Sequence, residues 1–325
     1  MALVASTSSD SEGIMFPKFN ILPTEQKFQI LTFTPTESRL KFADCSKYSL
    51  TLVEKTDTLV VSSMKMYELN GAINLYLEYL GDENVQQTVR IVDDGEGGCI
   101  VKSMHKNKFG IWSHYTSKYV ENTNSWCQLH QEIKAVLKNW AKNAPNDCAP
   151  MLVAEMQKWP KQLFEEFDFF KKCQNIELHG RTGWELISVL SVFDKNAKFD
   201  LHSKAGFGVE FFATQVVKSL KHLQICSNGR ITVDDLLGLE AKELTFMEEM
   251  NINEEMINAK ILQWCNSSSK EPVNWCFSRR RRVDLVAILN GVSLEMSTEL
   301  VLRRNNGPQA KLYINPCCVF LKSIC

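Results

Sequence analysis

Histidine and cysteine are the residues of this chain with the widest chemical repertoire, and their spacing decides what they can do. The six histidines, His105, His114, His130, His179, His202 and His222, stand apart in sequence, with no i, i+4 pair and no cysteine at metal-ligand spacing. Each reads as a surface or internally satisfied histidine, and no metal is expected. Eleven cysteines occur, at 45, 99, 127, 148, 173, 226, 265, 276, 317, 318 and 325. Apart from the adjacent Cys317 and Cys318 they fall singly, and none forms a C-x-x-C clip. An odd number without an export signal reads as buried, reduced thiols in an intracellular protein.

The sequence carries no G-x-S-x-G elbow, no G-x-x-x-x-G-K-[ST] phosphate loop and no H-E-x-x-H helix. Gly95-Glu96-Gly97-Gly98 follows Asp93-Asp94, whose charge repels a phosphate, so it reads as a plain turn. Residues 224–235 resemble a calcium loop at Asn228, Gly229, Ile231 and Asp235, but Gln224 and Cys226 occupy the first and third ligand positions. Asn228-Gly229 is better read as a turn and Thr232 as a helix N-cap with Asp234 and Asp235 behind it. Arg279, Arg280, Arg281 and Arg282 form one dense basic cluster. Its plain reading is a solvated loop after a strand; its functional reading is a nuclear-import signal or a contact to phosphate or an acidic partner. No catalytic residue and no cofactor is expected. An unrecognised enzyme would need titratable groups with perturbed pKa values gathered by the fold in a pocket.

These residues need elements to hold them. After a Ser-rich, acidic lead at 1–15, residues 16–56 show helical spacing (Phe28/Leu31, Leu40/Ala43) broken by Pro17, Pro23 and Pro35. The reading is a helical module of about forty residues, too small to bury much area alone, which must dock on the chain or face a partner. Across 58–117 the period becomes two, with Asn70-Gly71 and Asp94-Gly95 as turns, giving an antiparallel β-meander. A helix over 126–142 closes a 57–148 β-rich domain. From 149 to 325, short strands alternate with helices: strands at 175–178, 198–202, 222–226, 243–247 and 273–278, helices at 183–193, 207–217, 233–239, 253–265 and 284–289. That is the signature of an irregular leucine-rich-repeat-like α/β solenoid, capped by a C-terminal hairpin of 298–304 and 310–320 around Asn306-Gly307. The fold class is therefore α+β. Phe164, Phe167, Phe169 and Phe170 are too dense for one helix face, so that one or two would be exposed or would pack against the neighbouring module.

Composition fixes the broad class. With 44% hydrophobic and 23% charged residues the chain is ordinary globular protein. Lys plus Arg (37) against Asp plus Glu (38) leaves a charge of -1, so no overall field draws nucleic acid or an anionic membrane. No run of about eighteen apolar residues is available to span a bilayer.

Two stretches resemble known families. Phe16-Pro17, Leu22-Pro23, Glu25, Ile30-Leu31, Pro35, Glu37, Leu40, Ala43, Cys45-Ser46-Lys47 and Leu52-Val53 follow the order of an F-box. Ile231-Thr232-Val233-Asp234-Asp235-Leu236-Leu237, Lys242-Glu243-Leu244, Asn251-Ile252-Asn253, Trp264 and 301–304 with Asn306-Gly307 and Ala310 look like the type-two F-box-associated domain of the large nematode F-box families. The resemblance implies a non-catalytic substrate receptor of an SCF-type ubiquitin ligase. Its F-box would bind a Skp-family adaptor, and through it a cullin, using Phe16, Pro17, Leu22, Pro23, Ile30, Leu31, Pro35 and Leu40; its C-terminal domain would hold a target protein for ubiquitination. Family expansions of this kind suggest clearance of foreign or toxic proteins, in the cytoplasm or, if the arginine cluster is an import signal, the nucleus. Lys27, Gln29 and Thr32-Phe33-Thr34 depart from the F-box pattern and motivate the alternative, a ligase-independent module that sequesters its partner.

Overall fold

In the computed structural model the described residues are 21–34, 36–45, 49, 60–80, 82–106, 112–138, 140, 144–145, 148–159, 161–247, 250–269, 271–279, 281–292, 294–296, 300–302 and 309–324. Their fold is mixed α/β, with fifteen strands and eleven helices among the described residues. The chain divides into two compact units, residues 1–62 with 76–146, and residues 63–75 with 147–325. The division falls inside strands β1 (Val61–Leu69) and β2 (Ala72–Tyr79). Between those strands Asn70 and Gly71 have φ of 52° and 73°, the paired left-handed residues of a two-residue hairpin turn, as the Asn-Gly signal predicts.

In the first unit, α1 (Thr24–Phe33) starts directly after Pro23, whose carbonyl accepts from the Lys27 N–H at 3.1 Å. Helix α2 (Thr36–Cys45) follows. Leu31 and Phe42 are buried together, with Leu22, Phe28 and Ile30 packed on them. Arg39 is buried and donates to the Leu31 carbonyl at 3.4 Å. The helical module docks on its own chain, α2 packing on β3 (Asp82–Asp93) and β4 (Cys99–Lys106). Strands β3, β4 and β5 (Trp112–Val120) run antiparallel in sequence order. Gly95 and Gly97 turn at positive φ, and Asp94 closes the loop by accepting from the Glu96 and Gly98 amides at 2.8 and 2.9 Å. Helix α3 (Ser125–Leu137) is capped by Asn124, which accepts from the Cys127 N–H at 2.9 Å, and buries Leu129, Ile133 and Leu137.

In the second unit a ladder of parallel strands begins at β1 and continues through β6 (Met151–Glu155), β7 (Asn175–Gly180), β8 (Lys198–Ser203), β9 (His222–Ile225), β10 (Glu243–Phe246) and β11 (Asn274–Ser278). Helices follow the strands: α4 (Lys161–Glu166) and α5 (Asp168–Lys172) after β6, α6 (Gly183–Leu190) after β7, α7 (Val209–Ala213) and α8 (Gln215–Lys218) after β8, α9 (Val233–Gly238) after β9, α10 (Glu254–Asn266) after β10 and α11 (Leu285–Leu289) after β11. Alternate strand residues, Ile176/Leu178, Phe199/Leu201, Leu223/Ile225, Leu244/Phe246 and Trp275/Phe277, are buried. Beyond β11 the sheet turns antiparallel through β15 (Cys318–Ser323), β14 (Ala310–Asn315), β13 (Leu300–Leu302) and β12 (Leu294–Met296).

Two expectations change. The strand expected over 310–320 is two strands folded back at Pro316-Cys317, so β15 rather than one long hairpin arm pairs with β11. The helix expected over 207–217 breaks at Thr214, which is extended (φ -72°, ψ 139°) and whose hydroxyl bonds back to the Phe211 carbonyl at 2.8 Å. Of the two alternatives for the phenylalanine cluster, packing holds: Phe164, Phe169 and Phe170 are buried and Phe167 is half-buried, on two short helices rather than one, and Phe164 lies 5.7 Å from Phe193 beyond α6. The 1–15 lead and the Asn306-Gly307 turn lie outside the described residues.

Candidate functional site

Strand alternation buries every second residue of β7 to β11 and leaves the others half open on the opposite face. Parallel register then lines these residues up across strands. Glu177 pairs with Asp200 and His179 with His202; Asp200 pairs in turn with Gln224, and Gln224 with Thr245. This face bounds a shallow depression of about 340 Å³ lined by Glu177, Lys198, Asp200, His222, Gln224 and Glu243 among others.

Further along the same strands the rings of His179 and His202 stack, centroids 4.1 Å apart and planes 2° from parallel. Glu177 Oε1 lies 2.6 Å from His179 Nε2, and Asp200 Oδ1 lies 3.1 Å from His202 Nε2. The Cys226 thiol donates to the same Asp200 Oδ1 at 3.0 Å, while the Gln224 amide holds Asp200 Oδ2 at 3.2 Å and reaches Cys226 Sγ at 3.1 Å. Hydrogen bonds to Asp200 and then Cys226, against the cost of burial, push the His202 pKa up to about 10. For Asp200 burial is the largest influence and acts upward. It is outweighed by the hydrogen bonds from His202 and Cys226 and by the charges of His202 and His179, which hold the carboxyl below its ordinary value. His202 is thus an imidazolium at neutral pH.

A nucleophile, base and orienter would form a chain, with the carboxylate on one ring nitrogen and the thiol on the other. Here the carboxylate holds His202 Nε2 and the thiol holds the same carboxylate oxygen. The donors converge on one point, which suits a shared ligand better than a proton relay.

The remaining sequence candidates are dispersed. His222 Nδ1 faces Glu243 Oε2 at 3.1 Å, with Lys198 at 3.6 Å from the same oxygen. His105 and His114 are register partners in β4 and β5, and His130 lies on α3. Arg279 is paired with Glu254, which it holds below the usual carboxylate range; Arg281 and Arg282 are exposed, and Arg280 lies outside the described residues. Thr232 caps α9 by accepting from the Asp235 N–H at 3.1 Å, and Gln224 and Cys226 extend from β9 rather than from a calcium loop. Of the adaptor-contact candidates, Leu22 and Ile30 are half-buried, Pro23 is exposed, and Leu31 is only 3% exposed within its module's own core. Leu40 lies on α2 with its side chain outside the described set, as are Phe16, Pro17 and Pro35 altogether. Among the described residues there, the most exposed apolar side chains are Ile21 (81%) and Phe33 (87%), neither of them an adaptor-contact candidate from sequence.

Sequence reasoning missed the histidine cluster although a signal exists. Glu177-Leu178-His179-Gly180, Asp200-Leu201-His202-Ser203 and Gln224-Ile225-Cys226-Ser227 are one pattern, an acceptor, an apolar residue, a His or Cys, then a small residue. Aligning strands by that repeat puts the polar residues in columns. Comparison with protein-family models, with curated proteins and with solved structures gives no match to this chain.

Proposed function

We propose that the chain is a non-catalytic substrate receptor of an SCF-type ubiquitin ligase, its helical module docking a Skp-family adaptor, which bridges to a cullin, and its C-terminal domain holding a target protein. The observation that carries this reading is the N-terminal module itself. Two helices bury Leu31 and Phe42 as a small core yet leave Ile21 and Phe33 almost fully exposed beside half-buried Leu22 and Ile30. Apolar side chains so exposed on a minimal core gain free energy by covering one another with a partner. The recurring strand and helix units read as an irregular leucine-rich-repeat-like solenoid closed by the C-terminal hairpins, an open-faced platform for another protein. Mixed charges on that face, Lys198, Glu177, Glu243 and Asp200, favour a polar protein surface over a polyanion.

The test is capture of a purified Skp-family adaptor by the full chain, alongside Ile21→Asp with Phe33→Asp. Both positions are exposed, so the variant keeps its core. Loss of an apolar anchor pair costs about 2 kcal/mol or more, roughly thirtyfold, which abolishes capture at micromolar concentration. A folded parent that does not bind the adaptor refutes the ligase-receptor reading.

A further inference from the structure

Three donors of different chemistry meet on the open face of β8 and β9: a carboxylate oxygen of Asp200, an imidazole nitrogen of His202 and the sulfur of Cys226, all within 4.8 Å of one another. We propose that Asp200, His202 and Cys226 form a three-ligand site for a zinc-class transition-metal ion. The proposal does not rest on the receptor reading.

Tetrahedral zinc with bonds of roughly 2.0–2.3 Å holds its donors roughly 3.5 Å apart. The Asp200 oxygen already lies 3.1 Å from His202 Nε2 and 3.0 Å from Cys226 Sγ, two separations that need to open by only a few tenths of an ångström, and all three donors lie within 4.8 Å of one another. The ion replaces the protons that now hold the cluster together: Cys226 gives up its S–H and His202 its Nε2–H, both to solvent. Carboxylate, thiolate and neutral imidazole then balance two positive charges. Thiolate and imidazole select this class of ion over calcium or magnesium, which prefer oxygen.

The surroundings are those of a supported site. Gln224 holds Asp200 Oδ2 and so aims Oδ1 at the other donors. His179 lies flat on His202 and is fixed in turn by Glu177 at 2.6 Å. Because the two rings are parallel, an ion in the plane of His202 lies outside the plane of His179. His179 is therefore a positioning residue.

The experiment titrates Zn²⁺ into the chelator-stripped full chain in competition with a chromophoric chelator, and records the absorption of the Co²⁺ form. One ion per chain is expected, with a thiolate-to-cobalt charge-transfer band. His202→Ala and Cys226→Ser should weaken Zn²⁺ beyond the roughly 10- to 100-fold typical of losing an outer hydrogen-bond partner of a ligand, and Cys226→Ser should abolish the band. Cys127→Ser, at an exposed thiol on α3, should change neither. Asp200→Asn, nearly isosteric, gives a second reading if either other variant misfolds. No Zn²⁺ binding by the folded parent, or undiminished binding in the ligand variants, overturns the proposal.

Discussion

Lys260 on α10 is enclosed at 2% exposure, its ammonium donating to the carbonyls of Leu237 and Leu239 at 3.3 and 2.9 Å and to Gln263 Oε1 at 3.1 Å. It also lies over the Trp275 ring, 5.2 Å from the centroid. Burial pushes its pKa down to about 8 from 10.5. Between those values the unfolded chain holds the proton more tightly than the folded one, so this group's contribution to stability rises with pH across that window and is constant below it. Buried thiols act the other way: burial raises Cys173, and burial followed by its contact with Asp93 raises Cys99 to about 11, so both contributions fall as pH climbs past about 9. The two effects separate in a difference. Urea unfolding of the parent and of Lys260→Met at pH 7 and pH 10 should give a stability difference that moves in favour of the parent; no movement would mean that the ammonium carries no burial penalty. A lysine inside a helix is legible in sequence only as a polar residue, since its enclosure comes from α9 and β11.

Among the elements, helix starts are the most legible. Thr232 caps α9 as its place before Asp234 and Asp235 predicts, and Thr182 with Glu185 forms a full capping box at the start of α6. Breaks are less so: the extended Thr214 and the Pro316-Cys317 fold-back interrupt runs whose apolar periodicity continues across them. The loops between strand and helix also set tight limits. Gly206 follows β8 at φ +82°, and a Cβ there would meet the Asn228 side chain and, at 2.9 Å, its carbonyl oxygen. Gly206→Ala should cost about 1–2 kcal/mol from the left-handed backbone alone, read as a lower urea midpoint with an unchanged slope. A midpoint equal to the parent's would show that the loop relaxes freely.

Across the C-terminal unit as a whole, phenylalanines from successive strand and helix pairs touch. Phe211 and Phe212 pack edge to face at 5.1 Å, Phe212 contacts Phe246 at 6.0 Å, and Phe246 stacks on Phe277 at 6.1 Å. Neighbouring strand and helix units thus share apolar contacts. Phe212→Ala should cost about 3–5 kcal/mol and lower hydrogen-exchange protection across β7 to β11 together. Loss confined to β8 and α7 would mean that the repeats open independently.

From the sequence alone follow the alternation that sends Phe199 and Leu201 inward and Asp200 and His202 outward, the Asn70-Gly71 turn, the helix caps and the change from meander to strand and helix repeats. These depend on contacts within a few residues, where backbone sterics and periodicity act directly. The stacking of His179 on His202, the meeting of Cys226 with Asp200 and the enclosure of Lys260 were decided only by the tertiary structure. His179 and His202 meet through the parallel register of β7 and β8, and a shift of one residue would turn a strand's side chains to the other face of the sheet; Lys260 is enclosed by groups from α9 and β11, which its own stretch of sequence does not contain.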